Sequence, residues 1–293
     1  STHLNNYTSI GNPYPSTIDA LELFAVNPNL GALYFWTNTN PVVNGTYAQN
    51  NYASYTAVGG VSASGSGIEP TQYIGVGQGF VVYNSATQVT FTNDMKCGNS
   101  ANFFKTTTVE KSRFWLNLKR ENDVECNQIL LSYMSGATDE FDNQMDAKLF
   151  GYEGSALYSI IENQNYSIQA KGLPFLDSDI IPLGFKAENT GSFTISLGNF
   201  DGLFAEGNVT IYLKDNQNNT IHNLMENPYV FQSDSGTFNE RFEVVFQFTL
   251  GTEIPNIESN LLIYKDQNLI VFKSSEEIQN ITIYDLLRRK VYT

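Results

Sequence analysis

Four acidic side chains, Asp139, Glu140, Asp142 and Asp146, crowd into the stretch GATDEFDNQMDAKLFG (136–151). Hard oxygen ligands at this spacing on a loop are the chemistry of a Ca²⁺ site, with Asp139, Asp142 and Asp146 as the candidate metal ligands. The stretch lacks the glycine and terminal Glu of an EF-hand loop, so a solvated acidic loop in which one carboxylate caps a turn is the competing reading. Two tryptophans offer a second chemistry. Trp36 in YFWT (34–37) and Trp115 in RFWLN (113–117) could stack on the flat apolar faces of sugars, with core packing as the alternative. In SRFWLNL, Trp115 points away from Phe114 and Leu116, so one of these sets must lie outside the core or be covered by another layer.

Other chemistries are restricted by count. His3 and His222 are the only imidazoles, which leaves little room for Ser-His-Asp, Cys-His or His-rich metal sites. Two carboxylates alone could hydrolyse a glycosidic bond, but no acid sits in an obviously apolar setting that would raise its pKa. The expectation is therefore a protein that is not an enzyme and holds no cofactor, Ca²⁺ apart. GVGQGF (75–80) resembles a phosphate-binding glycine loop only superficially, because FVVYN continues as a strand where that motif needs a helix amino terminus. Cys97 and Cys126 each lie beside an expected strand; a disulfide and two free thiols both remain open.

With 30 acidic against 16 basic residues the net charge is −14, and no cluster of Lys and Arg supplies the footprint that nucleic acid or an anionic membrane would require. No run approaches the ~20 apolar residues that span a bilayer, so no membrane insertion is expected. Charged residues are only 16% and aromatics 13%, a palette in which Asn, Ser, Thr, Gln and Tyr cover the surface of an extracellular β protein. The opening STHLNNYTSIGNPYPS has no signal-peptide character and reads like the interior of a longer protein.

The elements that must position these residues are almost all strands, and the fold class expected is all-β, built of antiparallel sandwich or jelly-roll domains. Three segments are expected: 1–97, 98–251 and 252–293. The first contains no Lys or Arg before Lys96. It starts with a short helix in TIDALELFA capped by Ser16, followed by strands ALYFWT (32–37), YIGVGQGFVVYN (73–84) and QVTFTN (88–93), with GGVSASGSG (59–67) as a loop. The second carries eight strands punctuated by turn residues, from SRFWLNLKR (112–120) and NQILLSYM (127–134) to NVTIYLKD (208–215) and RFEVVFQF (241–248). Pro255 marks a linker to the third, in which acidic and basic residues nearly balance.

That third segment carries a resemblance. NLIVFKSSEEIQNITIYDLLRRKVYT resembles the type A carboxy-terminal sorting domain of proteins exported by the type IX secretion system of Bacteroidota, over residues ~260 to 293. The family usually has Gly where this chain has Arg288, which puts the turn type in question. The resemblance implies a small immunoglobulin-like sorting-domain fragment, recognised through Ile281, Ile283, Tyr284, Asp285, Leu286, Arg289 and Val291. It implies as partners the outer-membrane translocon and its shuttle β-barrel, and as destination the cell surface or medium. The family pattern continues for a few further strands, so the tail is expected to be a module cut short. Upstream, strings such as IGNPYPSTIDA, YIGVGQGF and IPLGFKA resemble the region that often precedes this signal in large exported surface proteins. The function expected is thus a non-catalytic cargo region bearing a sorting signal; the alternative is a carbohydrate-binding adhesin module with calcium at 139–146.

Overall fold

A computed structural model of the chain describes residues 7–37, 52–64, 68–84, 88–97, 110–248, 261–266, 269–274, 283–284 and 290–292, with the backbone alone at Asn84 and from Gln247 onward. The fold is all-β, as its composition predicts. Two compact units divide it, Ser1–Thr249 and Leu250–Thr293. The expected boundary at 97/98 falls inside the first of these units, the body of the chain.

The first part of that body holds β1 (Tyr7–Gly11), β2 (Thr17–Asp19), helix α1 (Ala20–Val26), β3 (Leu30–Trp36), β4 (Tyr52–Tyr55), β5 (Gly60–Val61), β6 (Tyr73–Ile74), β7 (Gly79–Asn84) and β8 (Lys96–Cys97). The helix cap is Asp19, whose carboxylate accepts from Leu21 N at 2.8 Å, and not Ser16, because Thr17–Asp19 is already strand. Five strands form one sheet in the order β1-β7-β3-β4-β5, and β6-β2-β8 form a small second sheet. The expected strand at 73–84 is two strands of different sheets, split by a turn in which Gln78 Oε1 accepts from Gly75 N at 2.9 Å. QVTFTN forms no strand among its described residues.

The second part carries β9 (Lys111–Arg120), β10 (Val124–Met134), β11 (Ala147–Lys148), β12 (Ala156–Ile161), β13 (Gln164–Gly172), β14 (Ile180–Ala187), β15 (Gly191–Phe200), β16 (Val209–Asp215), β17 (Thr220–Asn223), β18 (Tyr229–Ser233) and β19 (Gly236–Phe248). They join in one sheet, β17-β16-β19-β14-β12-β13-β10-β9-β15-β18, with β11 alongside β13. All pairs are antiparallel except β10 with β13. Strand alternation sends Phe114, Leu116 and Leu118 of β9, Ile129, Leu131 and Tyr133 of β10, and Phe242, Val244 and Phe246 of β19 into a single cluster that also takes residues from β14, β15, β16 and β18. A sheet in which most strands feed one interior rolls up on itself.

An ion pair ties the rolled ends together. Asp215, at the end of β16, and Arg241 of β19 are 1% and 3% exposed and meet at 3.0 Å. Arg241 also donates to Gln232 O of β18 at 3.3 Å and lies over Phe231 and Phe242, 4.6 and 4.8 Å from their ring centres. Asp215 accepts from Tyr229 Oη of β18 at 3.0 Å and from Asn218 Nδ2 at 2.9 Å. Burial would push the Asp215 carboxyl up, but the hydrogen bonds from Arg241 and Tyr229 outweigh it and hold it below the usual carboxylate range.

The five-stranded sheet stacks on the rolled sheet. Ala32 and Tyr34 of β3 with Val58 and Val61 face Trp115, Leu130, Met134, Ala147, Ile168 and Ala170 of the rolled sheet. The opposite face of the five-stranded sheet is closed by α1 through Leu23 and Phe24, with Ile18, Ile74 and Met95. Three successive outward residues of β9 reach the β4–β5 corner: Lys111 Nζ and Arg113 Nη1 donate to Val58 O at 3.2 and 2.9 Å, and Trp115 Nε1 donates to Gly60 O at 2.9 Å. A Cβ on Gly60 would lie 2.2 Å from Pro70 O, so only glycine fits this corner.

In the second unit, β20 (Leu261–Asp266) pairs antiparallel with β21 (Leu269–Ser274), and β22 (Ile283–Tyr284) with β23 (Lys290–Tyr292).

Arg241→Ala leaves Asp215 charged and buried without its partner. It is expected to lower the unfolding free energy by about 3–5 kcal/mol in urea denaturation at neutral pH. A loss below about 1 kcal/mol would mean that the pair does not close the sheet.

Candidate functional site

The acidic stretch folds as a clasp between the two sheets. Gln144 Nε2 donates to Phe24 O and Asn27 O, both at 2.9 Å, and so satisfies carbonyls at the end of α1. Gln144 O accepts from Ala57 N at 2.9 Å, and the Phe141 ring packs against Tyr83 and Tyr166. Each carboxylate is drawn to a different place. Asp139 pairs with Lys171, while Asp142 Oδ2 accepts from Thr138 N and Oγ1 at 2.6 and 3.1 Å. Asp146 is 1% exposed; its Oδ1 accepts from Ala170 N and its Oδ2 from Asp142 N, both at 2.7 Å. Glu140 contributes only backbone to Thr138 Oγ1. Among the described residues no three acidic, Cys or His side chains gather as a metal site, and Asp139, Asp142 and Asp146, the expected calcium ligands, turn to separate partners. Their oxygens are used to shape the loop.

The tryptophans separate. Trp115 is 5% exposed and lies in the layer between the sheets with the Arg113 guanidinium 5.1 Å from its ring centre, so it is no ligand platform. Of the two outcomes that its alternation leaves open, the covering layer holds, and it is the five-stranded sheet. Trp36 is 44% exposed at the end of β3 and meets Tyr52 of β4 edge to face at 5.0 Å; Tyr52 in turn meets Phe150 at 4.9 Å.

Both cysteines carry free thiols, Cys97 in β8 and Cys126 in β10. Burial pushes the Cys126 thiol up to about 11 and also raises that of Cys97, so neither is a ready nucleophile. His222 on β17 hydrogen-bonds Asn227 O through Nε2 at 2.8 Å and packs on Tyr229. His3 lies outside the described residues. Among the sorting-signal residues, Ile283 and Tyr284 form β22 and Val291 lies in β23, in the register Ile283↔Tyr292 and Tyr284↔Lys290. Ile281, Asp285, Leu286 and Arg289 lie outside the described residues.

A feature that sequence reasoning missed is a polar cleft of about 210 Å³ where the chain after β5 crosses the outer face of β9, β10 and β15. Ser62, Ser64, Glu69, Asn117, Glu125 and Gln128 wall it. Gln128 and Asn117 are register partners on β10 and β9, and Gln128 Nε2 donates to Asn117 Oδ1 at 3.0 Å while its Oε1 accepts from Ser62 N at 3.2 Å. A narrower depression shares Ser62, Ser64 and Asn127 with the cleft and runs to Tyr52, Phe150 and Tyr152. What trace the sequence holds lies on two separate strands: polar Asn117 and Gln128 occupy outward positions two residues from buried Trp115 and Leu130. A second cleft, of about 260 Å³, lies beside the β9–β10 turn with Arg120, Glu121 and Ser192, where Glu121 Oε1 already accepts from Ser192 N at 3.1 Å. Among the described residues no helix is long and apolar enough to cross a membrane.

Burial, against the two backbone hydrogen bonds, pushes the Asp146 carboxyl up to about 7. An unfolded aspartate titrates near ~3.9, so the folded body takes up a proton that the unfolded chain lacks between these values, and the stability this confers fades as pH rises through about 7. The stability of the wild type relative to Asp146→Asn is therefore expected to fall between pH 5 and pH 8 in urea unfolding. A difference constant across that range would contradict the assignment.

No curated protein and no solved structure matches the chain. A family model matches residues 1–246, which take in both stacked sheets of the body and stop short of the tail unit. By that match the chain belongs to the family described as Domain of unknown function (DUF8693).

Proposed function

We propose that residues 1–249 are the non-catalytic, surface-destined cargo of a tail that acts as a type IX sorting signal. The observation that carries this reading is the segregation of Leu250–Thr293 as a unit of its own, outside the span matched by the family model. The string ITIYDLLRRKVYT (281–293) falls within that unit, with Ile283 and Tyr284 on one paired strand and Val291 on the other. A short module with its own strand pairs can be gripped by a translocon as folded shape and strand edge while the body is carried along. The body suits such transport: it is strongly acidic, which disfavours adhesion to anionic surfaces, and its thiols and His222 are engaged in packing and hydrogen bonds. On this reading the partners are the outer-membrane translocon and its shuttle barrel, and the destination is the cell surface or the medium.

The test fuses residues 250–293, with whatever chain follows them in the natural protein, to a fluorescent reporter that carries an inner-membrane export signal. In a type IX-competent cell the reporter is expected outside, and Tyr284→Ala with Asp285→Ala is expected to reduce its release several-fold. Reporter held in the periplasm behind the unaltered tail would retire the reading.

A further inference from the structure

The cleft beside β5 and the exposed aromatic pair are parts of one surface. Tyr52 meets Trp36 at 5.0 Å on one side, and on the other lines the depression that shares Ser62, Ser64 and Asn127 with the polar cleft. The narrow depression between them, about 20 Å³, joins them into a trench with aromatic rings at one end and hydroxyls, amides and two carboxylates at the other. We propose that this trench binds a neutral oligosaccharide, with the exposed Trp36 ring, braced edge to face by Tyr52, supplying the stacking surface and the Asn117–Gln128 end supplying hydrogen bonds to hydroxyls.

Three observations favour that ligand class. Sugars present flat C–H faces together with a rim of hydroxyls, and an exposed Trp beside a Tyr matches the first need while an amide and hydroxyl cleft matches the second. The amides are held in place before any ligand arrives, since Gln128 is fixed by Ser62 on one side and Asn117 on the other. Finally, no Lys or Arg is among the described residues lining either part of the trench, while Glu69 and Glu125 are, so phosphate, sulfate and uronate groups are disfavoured. Gly198 forms part of the wall: a Cβ there would lie 2.9 Å from Asn117 Nδ2 and 3.4 Å from Trp115 Cβ. The site belongs to the body, so its test is independent of whether the tail directs export.

The experiment titrates the full chain with cellohexaose, laminarihexaose, mannohexaose and chitohexaose, using calorimetry and tryptophan emission, with polygalacturonate and a polylysine peptide as charged comparators. Trp36 is exposed, and loss of the emission change in Trp36→Ala is expected to assign that change to Trp36 rather than to buried Trp115. At least one neutral hexamer is expected to bind saturably. Trp36→Ala is expected to weaken binding about tenfold, Trp36→Tyr to retain most of it, and Gly198→Ala to weaken it several-fold, each with an unchanged thermal midpoint. If Gly198→Ala lowers that midpoint, the two Trp36 variants decide. Absence of saturable binding to all four hexamers would overturn the proposal, as would binding that stays within about twofold in Trp36→Ala. Preference for the polylysine peptide would overturn it too, by showing a cation-binding trench.

Discussion

Burial of β9 and β10 on both faces is the constraint on which the rest of the body depends. Phe114, Leu116 and Leu118 enter the rolled interior, while Trp115 and Leu130 enter the layer against the five-stranded sheet. A strand wetted on one face could not carry this pattern without exposing a large aromatic surface. The outward side is fixed by polar geometry as well as by packing. Lys111, Arg113 and Trp115, spaced two apart, all donate to carbonyls at the β4–β5 corner, which satisfies backbone oxygens that stacking would otherwise leave dry. Arg113 also reaches across to Asp201, so one guanidinium joins the corner, β9 and the chain after β15.

The charged residues buried in this acidic protein serve closure. Asp215 and Arg241 draw β16, β18 and β19 together, and the hydrogen bonds from Gln217 N, Asn218 and Tyr229 leave Asp215 well satisfied. A buried pair of this kind is weak as a source of net stability but strongly discriminates against arrangements that separate its partners. It selects the rolled sheet over an open one with the same strand pairs. The acidic loop works likewise: its carboxylates shape turns, and Gln144 binds the end of α1.

How far the sequence was legible follows from the range of the interactions. Strands such as Ile180–Ala187 and Gly191–Phe200 carry β-branched and aromatic residues between turn residues, a local signal, and were read with the observed bounds. Short strands fixed by their neighbours, such as Thr17–Asp19 and Thr220–Asn223, carry little local pattern and were missed. The turn inside 73–84 was hidden because Tyr73–Ile74 and Gly79–Asn84 both look like strand, and only tertiary pairing assigns them to different sheets. The alternation around Trp115 left open an exposed set or a covering layer, and that a layer built from residues 30–61 covers it needed the fold. At the sites, four nearby carboxylates suggest a cation, whereas backbone N–H donors and Lys171 claim three of them separately. Composition cannot say which partner an oxygen will find. The cleft at Asn117 and Gln128 joins two strands and a crossing loop, and so had no contiguous sequence signature.

A body held together by one shared inter-sheet layer should unfold as one. Trp115 sits in that layer, and the rolled sheet dominates the far-ultraviolet signal, so the most direct measurement compares the two in residues 1–249. With Trp36 replaced by Phe, urea unfolding followed by Trp115 emission and by circular dichroism is predicted to give coincident transitions with one midpoint. An emission change completed at clearly lower urea, while the sheet signal persists, would mean that the five-stranded sheet leaves a rolled sheet able to stand alone, and would contradict the account.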